Sequence, residues 1–217
     1  MNKGGGLLMG QIRGVILEGY SHAGKTSTLK ALKLLQAQEE QAERSVVILG
    51  EHYSQVLNRV HGELVALHRE EHLELLHKRV AMLQELNQWA EALGQASRQS
   101  RGIFYVLERF HLNHRAAFAD QDSTQVTELE RTLVDLGAIT ILLTISPEAV
   151  EERIQSRSPA QWLDKSKSYI AAQCDELLNV QDMLRAQSKK SLIPTIEINT
   201  DSKDWSLFAK QILKQLD

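Results

Sequence analysis

A short stretch of glycines, a lysine and a threonine has a spacing that suits a chain of phosphates. Residues 19–26 read GYSHAGKT and fit the pattern G-x-x-x-x-G-K-[ST]. Glycines let backbone N–H groups turn inward around an anion, and the helix that follows points its positive end at the same place. We expect Lys25 to reach the β- and γ-phosphates and the Thr26 hydroxyl to bind Mg²⁺. The residues expected to surround the phosphates are Gly19, Ser21, His22, Ala23, Gly24, Lys25, Thr26 and Ser27.

The segments on either side supply the context that this motif requires. Before it, residues 14–18 form a short, largely apolar run with β-branched residues, typical of a buried parallel strand. After it, residues 27–38 carry Leu29, Leu32 and Leu35 at helical spacing without glycine or proline. Strand, loop and helix therefore follow one another, and the sequence predicts that the chain binds a nucleoside triphosphate.

Composition narrows the classes of protein that the chain can represent. The 217 residues carry a net charge of −3, which argues against a general nucleic-acid-binding surface. The single cysteine, Cys174, excludes a disulfide framework and a cysteine metal cluster. No apolar run approaches the ~20 residues of a membrane span, and the start does not have the pattern of a signal peptide. We therefore expect a cytoplasmic protein with a flexible N-terminus over residues 1–11 and one domain over residues 12–217.

Segments with strand and helix patterns alternate along the chain. Further strand candidates cover residues 45–50, 103–107, 138–145 and 195–198, and helical patterns cover residues 63–96, 124–136, 147–157, 161–185 and 204–216. Near-continuous hydrophobic strands separated by helices indicate a parallel sheet covered on both faces. The sequence predicts an α/β fold.

Charged residues stand directly after two of the predicted strands, where an open α/β sheet binds its ligands. Glu51 follows the second strand, and Glu108 and Arg109 follow the third. Glu108 could hold Mg²⁺ or its water shell, and Arg109 could bridge a transferring or acceptor oxygen. Glu51 could accept a proton from an attacking hydroxyl. Their shared place at one edge of the sheet favours a catalytic site over solvated strand ends.

Three segments resemble motifs of the thymidylate kinase and deoxynucleoside kinase branch of the P-loop kinases. They stand at the phosphate-binding loop, at the end of the third strand and at the entry into the lid over the ATP phosphates. They are Glu18-Gly19 with Ala23-Gly24-Lys25-Thr26 (E-G-x-x-x-A-G-K-[ST]), Glu108-Arg109-Phe110 (acidic-Arg-x), and Pro147-Glu148 with Arg153-Ile154 and Arg157 (P-E…R-I…R).

The resemblance carries expectations about the whole fold and its ligands. It implies a three-layer sandwich in which helices cover a five-stranded parallel sheet, with a helical lid over about residues 153–167. It also implies ATP and Mg²⁺, positive charge from the lid arginines Arg153 and Arg157, a small-molecule phosphate acceptor and a helix-packed homodimer. The long helix after Glu63 would line the acceptor pocket.

The acceptor side departs from both members of this branch. Thymidylate kinases usually have an aspartate in the variable part of the loop and R-E-P-G after the second strand. This chain has YSH at residues 20–22 and GEHY at residues 50–53. Deoxynucleoside kinases usually have Glu-Pro there and a more basic lid than residues 157–160 (RSPA). The acceptor therefore stays open among a nucleoside, a nucleoside monophosphate and another small hydroxyl compound, with Glu51 favouring a hydroxyl.

Two alternatives belong to other classes of protein. Residues 68–72 (HREEH) fit H-x-x-E-H, an inverted zinc-protease motif, but they lie in a charged helix without a recognisable third ligand. A GTPase should show N-K-x-D after an apolar strand and D-x-x-G after the third strand, and residues 199–202 (NTDS) and 108–111 (ERFH) fit neither. We therefore expect an ATP-dependent kinase. A kinase for a non-nucleotide hydroxyl metabolite and a regulatory P-loop ATPase are the alternatives.

Overall fold

The computed structural model describes residues 12–39, 42–43, 45–51, 57–60, 63–93, 102–119, 121–157 and 159–216. The predicted flexible N-terminus, residues 1–11, lies outside the described residues. The strands are β1 (Ile12–Glu18), β2 (Ser45–Leu49), β3 (Leu57–Val60), β4 (Glu63–Ala66), β5 (Ile103–Glu108), β6 (Ala138–Thr144) and β7 (Thr195–Asn199). The helices are α1 (Lys25–Gln38), α2 (Arg69–Leu93), α3 (His111–Ala117), α4 (Thr124–Asp135), α5 (Pro147–Arg157), α6 (Lys167–Ser188) and α7 (Trp205–Lys214), and a 3₁₀ turn covers Pro159–Gln161.

Five of the strands form one parallel sheet in the order β2-β5-β1-β6-β7. The central strand is β1, and its register pairs Leu17 with Glu108 of β5 and with Ile141 of β6. Because the strands are parallel, their carboxyl ends meet at one edge of the sheet, where open α/β sheets bind ligands. The loop after β1 therefore lies beside the residues that follow β5 and β2.

Alternate side chains of β1 pack against helices on opposite faces of the sheet, as the two-residue period of a strand requires. Val15 and Leu17 belong to a core shared with α1, α5, α6 and α7. Ile12 and Ile16 belong to a second core shared with α2 and α4. The molecule is thus a three-layer α/β sandwich with a five-stranded parallel sheet, as the sequence predicts.

The helix expected from residue 63 begins at Arg69 instead. Residues Glu63–Ala66 form β4, which pairs antiparallel with Leu57–Val60 of β3. The apolar spacing of this stretch fits a helix, but short apolar runs are ambiguous between helix and strand, and pairing between neighbouring segments decides the outcome. The far end of the predicted helix, residues 94–96, lies outside the described residues.

The helix expected from residue 161 begins at Lys167. The Ser166 hydroxyl accepts the N–H of Tyr169 at 3.2 Å and so caps the first turn. Helix α3 has no counterpart in the sequence-based prediction, because seven residues are too few for a clear helical period. The remaining predicted helices and strands are present, with small shifts at their ends.

The prediction of one domain over residues 12–217 stays a prediction. In the part of the chain that the structure describes, no helix is both long and apolar enough to cross a membrane.

Candidate nucleotide-binding site

The loop between β1 and α1 occupies the carboxyl end of the central strand. His22 and Gly24 have positive φ angles of 73° and 91°. The Thr28 N–H donates to the Gly24 carbonyl oxygen at 2.9 Å as α1 begins. A Cβ on Gly24 would overlap the ring of Trp205 in α7. Both the left-handed backbone and the neighbouring indole ring therefore require glycine at residue 24.

The Lys25 side chain folds back into this loop. Its Nζ donates to the carbonyl oxygens of Gly19 at 3.0 Å and Tyr20 at 3.2 Å, and it lies 3.9 Å from a Glu51 carboxylate oxygen. Burial, followed by the charge of Arg109, lowers the pKa of Lys25 to about 7, while nearby carboxylates oppose the shift. The Lys25 side chain is thus held within the loop by two carbonyl oxygens.

Arg109 joins the loop to the ends of two strands. Its Nε donates to Glu51 Oε2 at 2.7 Å, and its Nη2 donates to the Ser21 hydroxyl at 3.1 Å. Its backbone has a φ of 50°, a left-handed conformation that residues other than glycine rarely adopt. Its N–H donates to the Leu17 carbonyl oxygen at 3.0 Å. The structure thus brings Glu51 and Arg109, which follow different strands, into direct contact beside the loop.

The two predicted metal ligands differ in exposure. Glu108 is buried at the end of β5, where burial and then the neighbouring Glu51 carboxylate raise its pKa. Thr26 is exposed in the first turn of α1 and lines the cleft at the loop. Carboxylate and hydroxyl oxygens are donors of the kind that Mg²⁺ prefers, so the residue types fit this ion.

Glu18 is a site residue that the sequence indicates only as part of a motif. Its side chain is fully buried at the end of β1, and Oε1 accepts the N–H groups of Phe110 at 2.9 Å and Leu112 at 3.0 Å. Burial raises the pKa of Glu18 to about 7, although both N–H groups lower it. The carboxylate ties the start of the loop to the turn that carries Arg109. The signal in the sequence is an acidic residue that closes an otherwise apolar strand.

The two predicted lid arginines lie in different surroundings. Arg153 is buried; its Nη1 donates to the His22 carbonyl oxygen at 3.4 Å, and its Nη2 donates to the Thr200 carbonyl oxygen. Its guanidinium carbon lies 5.5 Å from the centre of the Trp205 ring. Arg157, one helical turn later, is exposed and lines the cleft. A lid role for this pair stays a prediction.

A cleft of about 520 Å³ lies at the loop, within the usual range of ~300–1,000 Å³ for small-molecule sites. Lys203, which precedes α7, and Trp205, its first residue, line the cleft although no motif in the sequence indicates them. Ala23 and Glu108 are buried behind this lining. The predicted site residues that line the cleft are Ser21, His22, Gly24, Lys25, Thr26, Ser27, Glu51, Arg109, Arg153 and Arg157.

The two histidines of the zinc-protease pattern do not share an environment. His72 is buried, with its Nδ1 2.9 Å from the Nδ1 of His114 and the two rings stacked. His68 is exposed, and its N–H donates to Glu71 Oε2 at 2.8 Å where α2 begins. The Glu71 carboxylate therefore serves as a cap at a helix N-terminus, which accounts for its place in the H-x-x-E-H spacing.

Solved structures share this architecture over nearly the whole chain. The YorR protein from Bacillus subtilis, in complex with phosphorylated GDP, is 13% identical to this chain. Its TM-score is 0.53, over 94% of this chain and 95% of that chain. Thymidylate kinase from Ehrlichia chaffeensis is 16% identical, with a TM-score of 0.50 over 94% of this chain and 97% of that chain. This chain has the P-loop kinase fold.

The P-loop kinase fold is therefore confirmed by geometry. No family model matches the sequence, and no curated protein resembles it closely enough to match. The roles of the site residues accordingly rest on the contacts described above.

Lys25 should make nucleotide binding to this P-loop depend on pH. In the free protein its pKa is about 7, and a phosphate beside the ammonium group raises that value, so binding takes up protons. The affinity for ATP should therefore fall as the pH rises above about 7. Isothermal titration calorimetry in buffers of different ionisation enthalpy measures the uptake. Lys25→Arg keeps the charge but does not titrate and should take up fewer protons; equal uptake would exclude Lys25 as the titrating group.

Glu18 should make the stability of the P-loop kinase fold depend on pH. Its pKa rises on folding from 4.5 to about 7, so stability falls as the pH rises between these values, because the unfolded chain loses its proton first. Glu18→Gln stays neutral and keeps an oxygen acceptor for the two N–H groups. Thermal unfolding of both proteins between about pH 5 and about pH 8 should show that the Tm of the parent falls relative to that of the variant as the pH rises. A Tm difference between the two proteins that does not change with pH would contradict the conclusion that Glu18 is buried in its neutral, protonated form.

Proposed function

We propose that the protein is a P-loop phosphotransferase that moves the γ-phosphoryl group of ATP to a nucleoside or a nucleoside monophosphate. The observation that carries this proposal is the meeting of two cations and a carboxylate at the loop. Glu51 Oε2 lies 2.7 Å from Arg109 Nε and 3.9 Å from Lys25 Nζ. Phosphoryl transfer is catalysed chiefly by positioning and cationic stabilisation, which these groups can supply.

The cations have separate tasks in this reaction. The transition state is loose, and its charge is spread over the phosphoryl oxygens. Lys25 would contact the β- and γ-phosphates, Arg109 would bridge the transferring group and the acceptor, and Arg157 would reach the phosphates from the lid. Cations that are fixed before the reaction stabilise the developing charge without reorganising at that moment.

Thr26 and Glu108 would hold Mg²⁺ through a hydroxyl and a carboxylate oxygen. When bound, the ion neutralises negative charge on the β- and γ-phosphate oxygens. Burial and the Glu51 carboxylate raise the pKa of Glu108, and a nearby divalent cation would favour the ionised form that acts as a ligand.

Glu51 supports an acceptor that attacks through a hydroxyl group. A neutral hydroxyl gains from a positioned carboxylate base, typically by ~10²–10⁴-fold, whereas a monophosphate attacks through an oxygen that is already anionic. Arg109 holds the Glu51 carboxylate in place through its Nε. One structural neighbour contains phosphorylated GDP and another is a thymidylate kinase, which favours a nucleoside-type acceptor over an unrelated metabolite. The homodimer and the cytoplasmic location stay predictions.

Lys25→Ala tests whether the loop handles the transferring phosphates. Removing the charge that contacts the β- and γ-phosphates should lower ATP turnover by a factor on the order of 10² or more. Thermal stability without nucleotide should stay near that of the parent. Turnover is measured with a panel of nucleosides and nucleoside monophosphates, and Lys30→Ala, at an exposed lysine of α1, serves as the control. A Lys25→Ala protein with full turnover would show that the loop assignment is wrong. If the parent protein consumes ATP at the same rate with and without an acceptor, a regulatory ATPase would be favoured instead.

Glu51→Gln separates the two classes of acceptor. The amide cannot accept the proton, but it keeps an oxygen for Arg109 Nε. With a hydroxyl acceptor, kcat should fall by ~10²–10⁴-fold while the affinity for ATP changes little. Glu39→Gln, at an exposed residue just after α1, is the matched control for charge. Unchanged turnover in Glu51→Gln would remove this carboxylate from the mechanism and move the acceptor to a monophosphate held by Arg109.

A further inference from the structure

The guanidinium group of Arg153 is largely enclosed by protein acceptors. It donates to the carbonyl oxygens of His22 and Thr200 and, at 3.4 Å, to the Thr200 hydroxyl. The residue reaches the wall of the cleft but is only 7% exposed, and its guanidinium lies over the Trp205 ring. A planar guanidinium in such surroundings holds segments of the protein together through its fork of donors.

Thr200 forms the second part of the same cluster. Its side chain is fully buried, and its hydroxyl lies 3.0 Å from the Ala23 carbonyl oxygen and 3.1 Å from the Thr144 carbonyl oxygen. Its N–H also donates to the Thr144 carbonyl oxygen at 2.9 Å. Thr200 therefore connects the loop after β1 to the end of β6, and its own carbonyl receives Arg153.

These contacts converge on three consecutive residues of the P-loop. Arg153 binds the carbonyl of His22, Thr200 binds the carbonyl of Ala23, and the Trp205 ring packs against Gly24. His22 has a φ of 73°, a conformation that a residue with a Cβ keeps only when its surroundings hold it there. The cluster thus fixes the backbone from the side opposite Arg109, which reaches the loop through its side chain contact with residue 21.

We propose that Arg153 is a positioning residue that, with Thr200 and Trp205, forms a latch behind the P-loop. The latch keeps the left-handed backbone of His22 and Gly24 in the conformation that shapes the loop at the cleft. This role rests on the proposed function, since it matters only if the loop binds a nucleotide. The sequence treats the two arginines alike. Arg157 lines the cleft, where it would contact the phosphates, and Arg153 acts through the loop.

Thr200 offers the sharpest test, because its side chain is buried behind the loop. Thr200→Val keeps the shape and removes the hydroxyl, and Thr200→Ser keeps the hydroxyl. Because Ala23 then loses its donor, the affinity for ATP, measured by calorimetry, should fall on the order of tenfold in the valine variant. It should stay near that of the parent in the serine variant. A valine variant that binds ATP as the parent does would overturn the latch.

Arg153 is tested through conservative exchange. Lysine keeps the charge, but a single ammonium group cannot span the His22 and Thr200 carbonyls as the guanidinium does. Arg153→Lys should therefore raise KM for ATP as much as Arg153→Met does, with a smaller effect on kcat. Arg157→Met should instead lower kcat, because it removes a charge from the transferring phosphates, and Arg131→Lys, at an exposed arginine of α4, is the matched control for the exchange. Rescue of Arg153 by lysine would assign it to the phosphates and overturn the latch.

Trp205 gives a readout that does not need phosphoryl transfer. In a Trp89→Phe/Trp162→Phe protein it is the remaining tryptophan of three. Without nucleotide, Thr200→Val and Arg153→Lys should shift its emission to longer wavelength as the ring gains solvent, and Arg157→Lys should leave it unchanged. Unchanged emission in all three variants would overturn the latch even in an active kinase. If the emission shifts in the two latch variants but the parent protein does not bind ATP, the latch would be supported and the proposed function overturned.

Discussion

The site depends on one buried carboxylate at the end of the central strand. Glu18 accepts the backbone N–H of Phe110, in the turn after β5, and that of Leu112, in the first turn of α3. The residue after Glu18 is the first of the P-loop. The turn after β5 holds Arg109 in a left-handed conformation. Its own N–H binds the carbonyl of Leu17, and the next N–H in the chain, that of Phe110, binds Glu18. With the backbone fixed on both sides, the Arg109 side chain can reach Glu51 and the loop.

Ordering the glycines and left-handed residues of the loop costs conformational entropy. Bonds within the loop, from Lys25 Nζ to the carbonyl oxygens of Gly19 and Tyr20, offset part of this cost. Neighbouring parts of the chain supply further contacts. Arg109 contacts Ser21 from the β5 side, and Arg153 and Thr200 contact the next two residues from the α5 and β7 side. A site built in this way is preorganised before the nucleotide arrives, which lowers the cost of ordering on binding.

Features encoded locally could be predicted from the sequence, and features set by distant packing could not. The strand, loop and helix around residues 14–38 and the parallel sheet follow from apolar runs and a short motif. The prediction of a helix at Glu63–Ala66 is wrong, because the apolar spacing of so short a stretch fits both a helix and a paired strand. The spacing of Arg153 and Arg157 places both on one face of α5. Which of them is buried depends on Trp205, about fifty residues further along the chain, and no local pattern reveals that contact.

Burial also changes the charge of the lysine and the glutamate beside the P-loop. Desolvation lowers the pKa of Lys25 and raises that of Glu18, each to about 7, so both groups carry less charge than they would in water. A buried cation is costly to desolvate, and this shift toward neutrality reduces that cost. A phosphate chain beside them favours the protonated form of both groups, since it attracts the ammonium and repels the carboxylate. Binding of the phosphates would therefore be coupled to uptake of protons by the pocket, and this response comes from the burial of both groups.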